Sequence, residues 1–458
     1  MVGAENVHDD RGRGITLAEA TRVWGYVGLN SFGGPAGQIA LMHRELVERR
    51  RWLSERRFLH ALNYCMVLPG PEAQQLATYV GWLLHGRRGG LIAGTLFILP
   101  GFLVMLALSV MYALYGSVDW VAGLLVGLQA AVVVLVAEAF VRISRRTLRS
   151  ATLIAIATIS FLAITFFHVL FPLIIIVAAL VGWLGGRRVP DQFPVGTGGH
   201  ASPEEPEVLL ADDTTIGPTE RHRALRAGWI CAALWLVPVG ILILALGTAN
   251  VFAQQAILFS QSAIFTFGGA YAVLAYIAQE AVFRYEWITS KDMLTGLGLA
   301  ESTPGPLILV LQFVGFLAAF NNPGDLPPIV AGLIGAVLAI WVTFVPCFMF
   351  IFLGAPYVER LRENIALRNA LTAVGAAVAG VVLSLAVWFT LNTVFPGVGT
   401  ERFGPLFLPV PDPASIAWES VAISALAALL VFRFRVGTLR VLAACAGVGV
   451  LVALVGLT

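Results

Sequence analysis

Long apolar runs dominate the chain, and polar residues interrupt them at short intervals. A membrane helix needs about 20 apolar residues. Runs of that kind cover 91–115, 120–141, 229–246, 329–352, 369–394, 414–432 and 439–457. The stretch 151–183 is too long for one crossing, and His168 and Pro172 sit near its middle, so it predicts a hairpin of two short helices. Elsewhere glycine and proline cut apolar stretches at Phe32-Gly33-Gly34-Pro35, Pro69-Gly70-Pro71, Phe267-Gly268-Gly269 and Pro304-Gly305-Pro306. These cuts predict short helices that break inside the membrane. Between 189 and 221 Pro, Gly, Asp, Glu and Thr take over, as in a solvated linker. Residues 1–14 are polar and lack the apolar core of a secretory signal, which predicts a disordered cytoplasmic tail.

The linker divides the chain into similar lengths, and the two parts repeat one another. Phe267 lies 235 positions after Phe32 (267 − 32 = 235), and Pro304 lies 235 positions after Pro69. Within this register Glu45, Val47, Arg49 and Trp52 match Glu280, Val282, Arg284 and Trp287. Thirteen of forty positions are identical without a gap, and they include tryptophan, ion-pair residues and a whole Pro-Gly-Pro triplet. Shared apolar composition would instead favour Leu, Ala and Val matches, so the repeat reads as a duplication.

Arginine marks the cytoplasmic side of short loops. Clusters at 44–57, 87–88, 142–149 and 187–188 are separated by even numbers of crossings, and the linker adds Arg221, Arg223 and Arg226. One unpaired span at 229–246 then reverses the second half. That reversal keeps Arg360, Arg362, Arg368, Arg433, Arg435 and Arg440 inside. The expectation is an all-α polytopic membrane protein of two inverted-topology repeats with broken or re-entrant short helices. It would have nine full crossings, the N-terminus in the cytoplasm and the C-terminus outside. Its parts are a tail (1–14), a first membrane repeat (15–188), a cytoplasmic linker (189–226), a connecting transmembrane helix (227–248) and a second repeat (249–458).

Composition agrees with that reading. The chain is 58% hydrophobic and 12% charged, against about 45–50% and about 25% for soluble domains. A soluble enzyme, a nucleic-acid binder and a disordered regulator are thereby excluded. Of 29 basic residues all but Lys291 are arginine. Composition bias and topology account for that excess. Cys65, Cys231, Cys347 and Cys445 are scattered through apolar stretches, and neither they nor the histidines form a metal-ligand pattern. No cofactor, metal or nucleophile–base motif is expected.

The chemistry therefore rests on the breaks. Gly33-Gly34 can take backbone conformations closed to other residues, and Pro35 suits a first helical turn. A helix beginning there points free N–H groups and the positive end of its dipole at the break, which suits an anion. Pro69-Gly70-Pro71 opens the helix bearing Glu72, Gln74 and Gln75. The second half repeats the plan, with Ser302 and Thr303 as further hydroxyl donors and Ala270 in place of Pro35. Taken singly, each break reads as a hinge between packed helices. Four of them in two inverted pairs point to a substrate path, as in secondary transporters. Glu45/Arg49 and Glu280/Arg284 have i, i+4 spacing and read as helix-face ion pairs or as a gate. Glu72 and Glu301 flank the Pro-Gly-Pro breaks as proton-coupling candidates or as helix-terminal groups. Trp52 and Trp287 suit the membrane interface. Glu138/Arg142 read as an ordinary ion pair, and Gly123/Gly127 as a weak helix-packing motif.

The Phe-Gly-Gly-Pro break, the Glu-x-x-x-Arg-x-x-Trp stretch, Leu68-Pro69-Gly70-Pro71, Tyr79-Val80-Gly81, Gly86-x-x-Gly89-Gly90 and Phe97-x-Leu99-Pro100-Gly101 occur in this order. Together they resemble the chromate ion transporter family of the long, two-repeat type. The resemblance implies export of chromate from the bacterial cytoplasm across the inner membrane by proton-coupled antiport. The partners would be chromate or a similar oxyanion, protons and the lipid bilayer, without nucleic acid, and a homodimer is compatible with it. The residues alone reach a transporter for a small anion. They leave open sulfate or another tetrahedral oxyanion as the substrate, and a passive anion channel as the mechanism.

Overall fold

The computed structural model describes residues 14–189, 192–193, 218–267, 269–357 and 364–455. Residues 1–13 of the expected tail, most of the linker, Gly268, Arg360 and Arg362 lie outside the described residues.

The first repeat begins with α1 (Leu17–Leu29), whose N-cap Thr16 accepts from the Glu19 N–H at 3.2 Å. It continues through α2 (Gly34–His43) into a π-helical turn at Arg44–Arg49, then α3 (Glu55–Cys65). Next comes α4 (Glu72–Tyr115), which folds back on itself because His85 and Gly86 leave helical geometry. Its limbs cross at glycines: a Cβ on Gly81 would sit 2.5 Å from the Gly89 carbonyl oxygen. α5 (Asp119–Thr147), α6 (Ala151–Phe167) and α7 (Phe171–Arg188) complete the half. His168 closes α6 in a left-handed conformation and Pro172 opens α7, so the expected hairpin is present.

The second repeat runs through α9 (Val251–Phe265), α10 (Ala270–Ala278), a π-helical turn at Gln279–Arg284 and α11 (Ser290–Ser302). α12 (Val310–Asn321), α13 (Pro328–Gly354) and α14 (Ile365–Val394) follow. α15 (Trp418–Ala428) and α16 (Thr438–Leu454) close the chain. The repeat register holds at the level of backbone detail. The two π-helical turns stand 235 positions apart, as do the left-handed residues Arg51 and Glu286, both with φ 52°. Ser54 and Thr289 cap α3 and α11 from equivalent positions.

α8 (Pro218–Leu246) stands between the halves. It begins inside the segment expected to be linker, so the linker–helix boundary at 226/227 is corrected toward the N-terminus. Pro218 supplies the reason, since proline suits a first helical turn and the residues after it form helix readily. Leu236, Val237, Ile241 and Leu244 are exposed along α8, as are Leu173, Ile176, Val177 and Leu180 along α7. Apolar faces this large require a lipid solvent. The chain is thus an all-α polytopic membrane protein.

Six described helices are long and apolar enough to cross a membrane, namely α4, α5, α7, α8, α13 and α14. The other three expected crossings coincide with shorter helices: α6 and α16, of 17 residues each, and α15 with the π-helical turn Leu429–Arg433 that extends it. The span expected from 414 begins instead at Trp418, because an antiparallel hairpin precedes it. That hairpin pairs β1 (Val398–Phe403) with β2 (Leu406–Pro411), where the sequence predicts a loop. On β2, Phe407 stacks on the His168 ring at 4.3 Å, tying the hairpin to the α6–α7 turn.

Two expectations about packing change. Trp52 and Trp287 are buried rather than anchored at an interface. Each follows its left-handed residue, and its N–H donates back to the π-helical turn (Trp52 to Leu46 at 2.8 Å, Trp287 to Ala281 at 2.9 Å). That bond folds the indole under the turn. Gly123 and Gly127, a weak motif on paper, form a close crossing of α5 with α16. A Cβ on Gly123 would lie 2.5 Å from the Ala453 Cβ, and one on Gly127 would run into the Cys445 carbonyl. Gly127→Val should therefore separate the helices and cost about 1–3 kcal/mol by overpacking. A lower melting midpoint of the protein in detergent checks this, and an unchanged midpoint would refute it.

Candidate functional site

Each broken helix arrives at the centre by the same local route. Ser31 ends the α1 segment, and its hydroxyl donates to the Val27 carbonyl at 2.6 Å. Thr266 does the same after α9, donating to Ser262 at 2.5 Å. A tight turn follows in both halves, Phe32 N–H to Asn30 O and Phe267 N–H to Phe265 O, both at 2.9 Å. The glycines then start α2 and α10. Gly33 has φ 84° and Gly34 has φ 68°, and Gly269 has φ 107°.

The two halves exchange backbone hydrogen bonds across the centre. The Gly70 N–H donates to the Thr266 carbonyl at 2.9 Å, and the Gly305 N–H donates to the Ser31 carbonyl at 2.9 Å. Gly305 is the repeat equivalent of Gly70, and Thr266 is that of Ser31. The exchange is therefore reciprocal, as a twofold relation between the halves requires. It binds each Pro-Gly-Pro triplet to the other half's Phe-Gly-Gly break, so the four breaks form two cross-half pairs. Gln38 reinforces one side by donating to Gly305 O at 2.5 Å and Ser31 O at 3.3 Å.

The breaks differ in openness. Phe32, Gly33, Gly34, Pro35, Pro69, Phe267 and Gly269 are half-buried, whereas Gly70, Pro71, Thr303, Pro304, Gly305 and Pro306 are buried. No atom lies within 4 Å of a Cβ built on Gly33, Gly34 or Gly269. No side chain caps the start of α2 or α10. The two uncapped helix N-termini thus each begin at an open position, paired with a buried Pro-Gly-Pro turn of the other half. Free N–H groups and the positive dipole end make each such position favourable for an anion.

The polar residues named from the sequence fall into three groups. Gln74 and Gln75 are fully buried beside the first triplet. Gln74 donates to Thr78 Oγ1 at 3.0 Å, and Gln75 donates to Pro69 O at 2.6 Å, which secures the turn. Ser302 and Thr303 are corrected: their hydroxyl protons go to the Leu299 and Ala300 carbonyls at 2.8 and 3.0 Å, so neither donates into the break. As C-terminal residues of α11 they satisfy carbonyls that the helix leaves unpaired. The second break is also built differently, because Pro306 leads into a short 3-10 turn at Leu307–Leu309 before α12, whereas Glu72 begins α4 directly.

Glu72 is half-buried, and Arg146 of α5 is the charge that acts on it. Glu301 is buried, accepts a hydrogen bond from the Tyr271 hydroxyl, and lies in the field of Arg142 and Glu138. The two carboxylates thus face one helix, α5, from the two breaks. Gln38 and Tyr271 were missed by sequence reasoning. Their signal was a lone polar group next to a glycine break on an otherwise apolar helix.

Glu45 and Glu280 are buried within the π-helical turns, and Arg49 and Arg284 reach them from solvent at 2.7 and 2.8 Å. They lie on the far side of α2 and α10 from the breaks. Arg50 backs up the first pair with Nε 3.7 Å from Glu45, but Tyr285 occupies that place in the second. A buried carboxylate without its partner is costly, and partial exposure of the arginine moderates the loss. Arg284→Ala should accordingly destabilise the protein by about 1–2 kcal/mol more than Arg49→Ala. Melting midpoints of both variants in detergent test this, and equal losses would count against it.

Among the described residues there is no cluster of His, Cys, Asp or Glu that could hold a metal. The chromate transporter family matches residues 18–183 and 253–450. A probable chromate transport protein of Synechococcus elongatus is 28% identical over 372 residues, 81% of this chain and 84% of its own. A chromate transport protein of Pseudomonas aeruginosa is 33% identical over 361 residues, 78% of this chain and 76% of its own. A transporter of Bacillus subtilis is 31% identical over 165 residues, which are 35% of this chain but 91% of its own length. No solved structure matches the chain.

Proposed function

Because this chain belongs to the chromate transporter family, we propose that it is a secondary transporter that exports chromate across the bacterial inner membrane in exchange for protons. The observation that carries this reading is the cross-half pairing of the four helix breaks, with the uncapped starts of α2 and α10 standing open beside it. A tetrahedral dianion entering there exchanges water for backbone N–H groups and helix-dipole charge, which need no reorganisation when it arrives. Gly33, Gly34, Pro35 and Gly269 shape the contact. Gly70 and Gly305 hold the two halves in register around it.

Alternating access follows from the same geometry. The reciprocal hydrogen bonds give the halves a shared pivot, and rocking about it opens the break to one side and then the other. The half-buried Glu72 is the group that takes up a proton in one orientation. Glu301, already held by Tyr271, keeps the second triplet in place. In this reading the arginine clusters face the cytoplasm, with the N-terminus and linker on that side and the C-terminus outside.

Purified protein in liposomes, with chromate supplied on the cytoplasmic face, tests the reading. Uphill chromate uptake that requires an opposing pH gradient is the expected result. Uptake indifferent to the gradient would remove the antiport, and dissipation of a chromate gradient without accumulation would make the protein a channel. Competition by sulfate measures how far the helix termini distinguish two dianions of the same shape and charge.

A further inference from the structure

Away from the breaks, α5 ends in a stripe of arginines. Arg142, Arg145 and Arg146 follow i, i+3, i+4 spacing and so share one helix face, and Arg149 follows just past the helix end. All four line a cavity of about 820 Å³ between α5 and the start of α16. Val431 and Phe432 on its other wall belong to a third copy of the π-helical turn, at Leu429–Arg433. This copy repeats the backbone of the other two: the Val436 N–H donates to Leu430 O at 2.9 Å, and Arg435 takes φ 52° like Arg51 and Glu286. Arg435 is thereby held on the cavity wall. Leu429 stands where Glu45 and Glu280 stand in the other copies, so this turn has lost its internal carboxylate.

Gly437 and Thr438 also line the cavity, and Gly437 caps α16 without a side chain. The cavity therefore gathers five guanidinium groups and an uncapped helix N-terminus. Glu138, 3.4 Å from Arg142, is the carboxylate among its lining residues. Guanidinium groups present planar paired donors that match an oxyanion edge. Arg142 and Arg146 have a second role, since they are also the charges facing Glu301 and Glu72 beside the Pro-Gly-Pro breaks.

We infer that this cavity is a second oxyanion site, a loading station that collects the tetrahedral dianion on the arginine-rich face and passes it toward the breaks. The inference rests on the transport reading above and adds a residue set to it. A dianion in the cavity screens the positive field that Arg142 and Arg146 exert on the break carboxylates. Departure of the dianion restores that field at Glu301 and Glu72. Loading and carboxylate charge are then linked through α5.

The triple variant R145Q/R149Q/R435Q tests this without touching Arg142, Arg146 or the breaks. In liposomes of phosphatidylcholine alone, its KM for chromate on the arginine-rich face should rise about tenfold, as expected when a charge-focused site is lost. The maximal rate should stay near that of the unmodified protein. The lysine triple variant, R145K/R149K/R435K, should recover most of the loss, and R433Q/R440Q, outside the cavity lining, should leave KM unchanged. An unchanged KM in the glutamine triple variant, or an equal rise in the R433Q/R440Q control, defeats the inference while leaving transport intact. A rise seen only when phosphatidylglycerol is added assigns the cavity to lipid headgroups and also defeats it. Absence of chromate uptake by the unmodified protein defeats the transport reading itself, and the loading station falls with it.

Discussion

Replacing Gly70 or Gly305 by alanine will lower chromate transport in liposomes at least about tenfold, and the two variants will behave alike. Both glycines have positive φ, 132° and 97°, where a side chain costs about 1–3 kcal/mol. Both also donate the 2.9 Å hydrogen bond that crosses between the halves. A Cβ on Gly70 would lie 2.5 Å from Gln75 Nε2 and 3.0 Å from Cys347 Sγ, and one on Gly305 would lie 3.0 Å from Leu309 Cδ1. The backbone must shift, so the Thr266 carbonyl loses its Gly70 partner and the Ser31 carbonyl is left with the longer bond from Gln38. A lost buried hydrogen bond of this kind adds about 1–3 kcal/mol. Gly33→Ala is the informative contrast, because open space surrounds that position. Its strain is local to the start of α2, so it should impair transport while leaving the melting midpoint nearer that of the unmodified protein. Equal transport by Gly70→Ala and the unmodified protein would show that the exchange between halves is not needed.

The pairing of these glycines bears on how much the sequence could disclose. The duplication was legible because the 235-residue offset is free of gaps through the break region, and the structure keeps it in caps, π-helical turns and left-handed residues. The breaks were legible because Gly-Gly and Pro-Gly-Pro are incompatible with continuous helix. Their meeting was not legible. It depends on backbone N–H and carbonyl groups, which are the same for every residue, and on a register between distant segments. Hydroxyl groups were misjudged for a related reason: Ser302 and Thr303 look like free donors in sequence, but a helix end offers carbonyls i−3 away that absorb them. The tryptophans were misjudged because interface residues and buried residues share the same amphipathic indole. The left-handed residue before each one, Arg51 and Glu286, carried no signal in residue type, since arginine and glutamate are not residues that favour positive φ.

The β1–β2 hairpin escaped for a different reason. Its strand residues are few, and Gly399, Gly404 and the prolines of β2 read as loop. The third π-helical turn escaped because only part of its sequence repeats: Val431 and Arg433 align with Val47 and Arg49, but the glutamate is gone. Backbone geometry survives there after the ion pair has been lost. The π-helical turn is therefore a property of the local chain path, and the buried Glu45 and Glu280 are additions to it. This bears on their role. A carboxylate that the turn does not require, buried beneath an exposed arginine at the end of α2 and of α10, braces the turn from within.

Glu72→Gln will separate transport from its driving force. The amide keeps the size and most of the polarity of the carboxyl at the start of α4, so the helix still begins at Pro71 and the Gly70–Thr266 bond is retained. Chromate should therefore still bind and exchange against chromate across the membrane. Accumulation driven by a pH gradient should vanish, because the glutamine cannot take up a proton. A proton moving down a gradient of about one pH unit supplies about 1.4 kcal/mol, about tenfold in chromate accumulation. That factor is the one the variant loses. Glu301→Gln should act differently. Its Tyr271 hydroxyl can donate to the amide oxygen as it does to the carboxylate, so coupling should persist, with any loss appearing as reduced stability near the second triplet. Measuring accumulation against imposed pH gradients for both variants in one liposome preparation decides between the carboxylates. Retained coupling in Glu72→Gln with lost coupling in Glu301→Gln would transfer the proton to the buried site between Tyr271 and α5.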